Sequence, residues 1–231
     1  MNERKENLLK YIVEEFYQTA QPVGSSLLVD KYYPDLSSAT IRNEMADLEK
    51  EEYIIQPYTS AGRIPTEKGY RHYLDNLLKP KKLAKSKCGV IDEICTARGE
   101  QRDNIKKLSK SIAAMSSETV FVAFDKYDFY YTGISNLIAK PEFCSQNLIL
   151  NISKVIDHFD EVLENIFNKI NDNVDILIGS QNPFSPNCAA IITKYKTNGV
   201  EQLLGILGPM RMNYQENRAI LGYFKERVTS N

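Results

Sequence analysis

Residues that interrupt regular structure fall so densely in the first third of the chain that only short elements can form there. Pro22 and Gly24 break the chain, Pro34 breaks it again, and Pro57, Gly62 and Pro65 cluster about a third interruption. Before the first break, Leu8, Ile12 and Phe16 recur at i, i+4 and i+8 with Leu9 and Val13 beside them, the stripe of an amphipathic helix. Gly24-Ser25-Ser26 leads into a short helix carrying Leu27, Leu28 and Val29, which Pro34 stops. Ser37 is suited to cap the next helix, because its hydroxyl can satisfy a free N–H of the first turn. That helix is predicted from Ser38 to Glu51, with Ile41, Met45 and Leu48 on one face. At ~100° per residue, Ala39, Asn43, Ala46 and Lys50 point away from that face, with Thr40 and Arg42 on its flanks. Tyr53 to Tyr58 and Arg63 to Thr66 read as two strands joined by the small-residue tip Thr59-Ser60-Ala61-Gly62, a β-hairpin. Thr66 can cap a further helix bearing Tyr70, Tyr73, Leu74 and Leu77.

Lys79, Pro80, Lys81, Lys82, Lys85 and Lys87 mark a basic linker. The chain therefore divides into a first domain at 1–78, a linker at 79–87 and a second domain at 88–231. In the second, Ile91, Ile94, Ile105, Leu108, Ile112 and Met115 follow a heptad spacing on helical sequence that Arg98, Gly99 and Gln101 can split in two. Strands are predicted at Thr119–Phe124, Phe129–Ile134, Val174–Ile178, Ala189–Tyr195 and Gln202–Leu207. The last two turn through Asn198-Gly199, a favoured hairpin dipeptide. Helices are predicted from Ser145 to Ile170 and at the end of the chain, where Tyr214, Leu221, Phe224 and Val228 share a face. The fold class is α+β with a mainly antiparallel sheet.

Charge argues against a bulk nucleic-acid binder. The net charge is −1, and residues 1–78 hold nine Lys/Arg against thirteen Asp/Glu, so any DNA contact must come from a local patch. Asp47, Glu49, Glu51 and Glu52 gather at the far end of the third helix, where they read as a solvated rear surface. Cys88, Cys95, Cys144 and Cys188 have no C-x-x-C spacing and only His72 and His158 could join them, so no metal site is expected. No cofactor fingerprint and no Ser, Cys or His nucleophile arrangement is present, so no enzyme is expected. Met1 precedes Asn-Glu-Arg-Lys-Glu-Asn and no apolar run approaches ~18 residues, so neither a signal peptide nor a membrane span is expected, and a cytoplasmic protein is.

Three short helices, a hairpin and a further helix describe a winged helix-turn-helix, whose third helix enters the DNA major groove. Ala39, Thr40, Arg42 and Asn43 give that helix a small and polar outer face. Arg can pair with guanine and Asn with adenine. Ser37 and Ser38 offer backbone N–H groups to a phosphate. The tip residues Ser60 and Gly62 would let the hairpin backbone approach DNA, Arg63 would reach a minor groove or phosphate, and Lys68 and Arg71 would add phosphate contacts. The same element order also serves protein-binding modules that touch no DNA.

Pro22-Val23-Gly24-Ser25, Ser37 to Met45, Thr59 to Thr66 and Gly69-Tyr70-Arg71 together resemble the heat-inducible transcription repressors of the HrcA family, and the likeness continues in Pro141-Glu142-Phe143 and Leu207 to Tyr214. The resemblance implies a winged helix, a GAF-like domain and an inserted dimerising domain, in a homodimer that represses chaperone genes from an inverted-repeat operator. It also implies that the chaperonin keeps the repressor active until unfolded proteins engage it. Tyr58 stands where many members have histidine. Phe124 is followed almost at once by Phe129-Tyr130-Tyr131, where the family usually has a long stretch, so the chain resembles a shortened member. A small-molecule-gated regulator and a non-DNA interaction module are the alternatives. The heptad stripe from Ile91 to Met115 has two readings. It can pair two chains, or it can pack on the protein's own sheet. Arg98 and Gln101 at seam positions favour the second.

Overall fold

The computed structural model describes residues 1–143, 159–167, 169–170 and 173–229. The chain divides into two compact units, Met1–Lys79 and Pro80–Asn231.

The first unit holds α1 (Glu3–Thr19), α2 (Ser25–Tyr32), α3 (Ser38–Lys50), the hairpin strands β1 (Ile54–Ile55) and β2 (Ile64–Pro65), and α4 (Glu67–His72), which runs into a single wider turn at Tyr73–Leu77. Local chemistry sets the ends of α1. The Asn2 side chain accepts the Lys5 N–H at 2.9 Å, and Ala20 closes the helix in a left-handed conformation with its N–H on the Phe16 carbonyl. Leu8, Leu9, Ile12 and Val13 of α1 meet Leu28, Ile41, Leu48, Ile54 and Tyr70 in one buried core. Full burial of such side chains is worth about 1.5–3 kcal/mol each. Buried Glu15 ties α1 to α2. Lys31 Nζ donates to both its oxygens at 2.9 and 2.8 Å, and the Tyr32 hydroxyl donates at 2.6 Å. Burial pushes the Glu15 carboxyl up, but these partners outweigh it and hold the group below its ordinary value.

The hairpin is shorter than its sequence pattern predicts, pairing only Ile54 with Pro65 and Ile55 with Ile64. The ladder stops at Gln56, because its backbone N–H is taken by Glu49 Oε1 at 2.9 Å and its side chain donates to the Ala61 carbonyl at 3.0 Å. Pro57, next in the chain, has no N–H to offer.

In the second unit, α5 (Lys85–Thr96) and α6 (Gln101–Ser116) lead into β3 (Thr119–Ala123) and β4 (Phe129–Thr132). Then come α7 (Ile134–Ile138), a tight turn at Pro141–Phe143, α8 (Phe159–Phe167), β5 (Val174–Ile178), β6 (Cys188–Thr197), β7 (Val200–Pro209) and α9 (Tyr214–Thr229). The five strands form one wholly antiparallel sheet in the order β4-β3-β7-β6-β5. Asn198 and Gly199 both take positive φ, 52° and 79°, as the two-residue turn between β6 and β7 demands. On one sheet face Phe121, Ala190, Ile192 and Leu203 pack with Leu137, Phe143, Phe159 and Leu163. On the other, Tyr195 meets Phe224 of α9 edge-on at 4.9 Å between ring centres.

Three sequence expectations are corrected here. The basic segment 79–87 is not linker throughout, since α5 starts at Lys85. Lys87 is held there by Glu216 at 3.0 Å and the Met115 carbonyl at 3.3 Å, and Lys81 reaches the same carboxylate at 2.6 Å. Lysine repels lysine but does not break a helix, and Glu216 supplies the counter-charge. Second, Ile134 opens α7 rather than ending a strand, because the chain turns at Gly133 with φ 79°. Third, the strands β6 and β7 run further than expected, to ten residues each. The heptad stripe packs within the unit, with Ile91, Ile105, Leu108 and Ile112 buried in a single chain, as the second of its two readings held. The predicted helix from Ser145 to Ile170 falls before Phe159 outside the described residues, as does Cys144.

Candidate nucleic-acid interface

α3 begins where the sequence predicts because Ser37 caps it, accepting the Thr40 N–H at 3.1 Å with its hydroxyl 2.9 Å from that of Thr40. Ile41, Met45 and Leu48 face the core, while Ala39, Arg42 and Asn43 are exposed and Ser38 and Thr40 are half-buried. Arg42 makes no ion pair among the described residues. The Ser38 hydroxyl lies 2.8 Å from that of Ser25, so the first turns of α2 and α3 stand side by side. Gly24 caps α2 without a side chain, and N–H groups of that turn have no side-chain partner. Two adjacent helix N-termini place partial positive charge on the same surface.

The hairpin tip is held against that surface. Val23 and Arg63 exchange two backbone hydrogen bonds of 2.9 Å. Gly62 makes this possible, because a Cβ there would stand 2.4 Å from the Val23 carbonyl carbon and oxygen. Its smallness therefore serves docking inside the unit. A recess of about 490 Å³ results, bounded by Ser25, Ser26, Arg42, Ser60, Gly62 and Arg63. Ser60 sits exposed at the tip with φ 65°, and Tyr58 beside it is 65% exposed.

Arg63 reaches the recess but its guanidinium is engaged. Its Nε donates to Glu49 Oε2 at 2.9 Å, and the side chain is only 18% exposed. Lys68 and Arg71 are not gathered with the others. Lys68 donates to the Glu51 carbonyl at 2.8 Å and lies over the Tyr53 ring, at the end of α3 opposite Ser37 and roughly 20 Å along its axis. Arg71 pairs with Glu67 one helical turn back at 2.6 Å. Ser25 and Ser26 were not singled out by the sequence. Their position after Gly24 at a helix start was the available signal.

Several acids of this unit are paired within it. Glu44 pairs with Arg4, Lys5 lies 3.2 Å from Asp47 and 3.3 Å from Glu51, and Glu49 holds Arg63. The carboxylates that the sequence places on a solvated rear surface are thus in part a clamp between α1 and α3. Arg42 is left as the charged side chain on the outer face of the first turns of α3.

The family described as HrcA protein C terminal domain matches residues 38–217. A heat-inducible transcription repressor HrcA from Thermoanaerobacter sp. (strain X514) is 26% identical over 318 residues, covering 94% of this chain and 92% of that protein. The aligned length exceeds the 231 residues of this chain, so the relative carries sequence with no counterpart here. The HrcA repressor of Acetivibrio thermocellus is 39% identical over 156 residues, 68% of this chain and 40% of its own length. That of Pelotomaculum thermopropionicum is 52% identical over 91 residues, 39% of this chain and 26% of its own. A crystal structure of a hypothetical protein superposes with a TM-score of 0.76 at 17% identity, over 100% of this chain and 98% of that one, which establishes a shared fold. The family match and these relatives place the chain among transcription repressors. The chain belongs to the HrcA family, whose curated members are heat-inducible transcription repressors.

Proposed function

We propose that residues 1–78 are a winged helix-turn-helix that reads operator DNA with the start of α3 and braces the duplex with the β1–β2 hairpin as its wing. The observation that carries this reading is the recess itself. It brings exposed Arg42, which has no ion pair among the described residues, the paired N-termini of α2 and α3 and the hairpin tip onto one surface, while Glu44, Asp47 and Glu49 of α3 pair with Arg4, Lys5 and Arg63. Arg42 and Asn43 are the base readers, with Ala39 and Thr40 beside them. Ser37, Ser38, Ser25, Ser60 and Gly62 lie where a phosphate would pass. Arg63 joins them only by leaving Glu49, and Lys68 and Arg71 act inside the fold. The family resemblance supports a homodimer on an inverted repeat in chaperone promoters, acting in the cytoplasm under control of the chaperonin, with residues 88–231 as a GAF-like regulatory and dimerisation domain. Among the described residues no helix is long and apolar enough to cross a membrane.

The test is binding of the full chain to an inverted-repeat duplex from a chaperone promoter and to the same bases scrambled, followed by fluorescence anisotropy. The repeat binds more tightly, and Arg42→Ala costs about 1–3 kcal/mol on the repeat with little loss on scrambled DNA. Equal affinity for the two duplexes overturns the reading.

A further inference from the structure

The second unit contains a recess that DNA binding does not use. It has a volume of about 340 Å³, within the range of small-molecule sites, and lies between the ends of α5 and α9, the start of α6 and the β6–β7 turn. Its apolar wall is Ile94, Ile105, Leu108 and Val228, drawn from three helices. Its rim is latched by Asn198 Nδ2 donating to Gln101 Oε1 at 3.2 Å. Asn104 also lines it. That side chain is 9% exposed, and its Nδ2 donates to the Ala97 carbonyl at 2.8 Å. This bond fixes the amide orientation, because a flipped amide would set two oxygens against each other. Asn104 Oδ1 is then a buried acceptor without a hydrogen-bond partner among the described residues, directly under Gly99, whose missing Cβ would stand 3.7 Å away. An unmet buried acceptor is costly and requires an explanation.

We propose that this recess binds a small, largely apolar molecule that donates one hydrogen bond to Asn104 Oδ1. The oxygen is covered by the surrounding chain, so the ligand reaches it as the turn between Ala97 and Glu100 shifts outward. Gly99, with φ 141°, is the residue in that turn best able to move. An aromatic amine or alcohol has the required form, a flat apolar body for the isoleucine and leucine wall and one N–H or O–H. Binding stabilises the second unit by mass action.

Indole is the probe and 1-methylindole, which lacks the N–H, its control. Both are titrated into the full-length protein, with the amide resonances of residues 97–101 and 196–198 followed by NMR and the melting temperature recorded in parallel. Indole is expected to shift those resonances and raise the melting temperature, with 1-methylindole about fivefold or more weaker. Val228→Phe, which fills the recess from the last turn of α9, is expected to melt cooperatively and to abolish both responses. The proposal is overturned if millimolar indole has no effect, as it would be if a water holds the oxygen. Equal binding of the two probes, or unchanged binding in folded Val228→Phe, also overturns it.

Discussion

Glu49→Gln separates two roles that Arg63 can hold. In the wild type Glu49 accepts the Gln56 N–H at 2.9 Å through one oxygen and Arg63 at 2.9 Å through the other. Glutamine keeps an acceptor for Gln56 but removes the charge that detains the guanidinium. Both side chains retain some water contact, 18% for Arg63 and 32% for Glu49, so the lost ion pair costs stability only about 0.5–1 kcal/mol. On DNA the balance reverses. A released arginine that reaches a phosphate gains roughly 1 kcal/mol, about fivefold in affinity. It also adds about 0.9 to the steepness of the log affinity against log salt plot. From 50 to 200 mM salt the variant therefore loses about threefold more affinity than the wild type. Anisotropy titrations on the inverted-repeat duplex across that salt range, with urea unfolding alongside, give both quantities. A variant that is less stable yet shows unchanged affinity and salt slope refutes the argument, and leaves Arg63 as an internal pin between the hairpin and α3.

Two further predictions concern the second unit. Gly205→Ala places a Cβ 2.2 Å from the Phe121 ring, which must shift within a packed core, and is expected to cost about 1–3 kcal/mol in urea unfolding; an unchanged midpoint contradicts this. Burial pushes the Glu118 carboxyl up to about 7 despite Lys140 at 3.1 Å, so the folded chain holds a proton that the unfolded chain releases near 4.5. That contribution to stability is present below 4.5 and is lost as pH rises through about 7. Glu118→Gln should accordingly remove a decline of about 2.5 kcal/mol between pH 5 and 8, and an equally steep decline in the variant refutes the assignment.

What the sequence disclosed about this molecule was local. Ser37 and Thr66 cap their helices as their positions suggest, with Thr66 accepting the Gly69 N–H at 3.1 Å. The Asn198-Gly199 turn and the bounds of β5 also follow from neighbouring residues alone. The face of α3 that carries Ala39, Arg42 and Asn43 was legible from helical period. The fate of each charge was not. Lys68 and Arg71 look like phosphate ligands in sequence, but a carbonyl at the end of α3 and a glutamate one turn away claim them. Arg63 is claimed by a carboxylate fourteen residues earlier. Gly62 shows the same limit from the steric side. Its need for space arises from Val23, which is distant in sequence and is brought close only when the hairpin docks.

The central claim is that the start of α3 and the hairpin tip together form the DNA face. A photo-crosslinking amino acid placed in turn at positions 39, 60, 68 and 71 of the full-length protein tests it most directly, using the inverted-repeat duplex. Crosslinks from 39 and 60, with none from 68 and 71, are the predicted outcome. Crosslinks from 68 or 71 with none from 39 would contradict the account and move the DNA to the opposite end of α3.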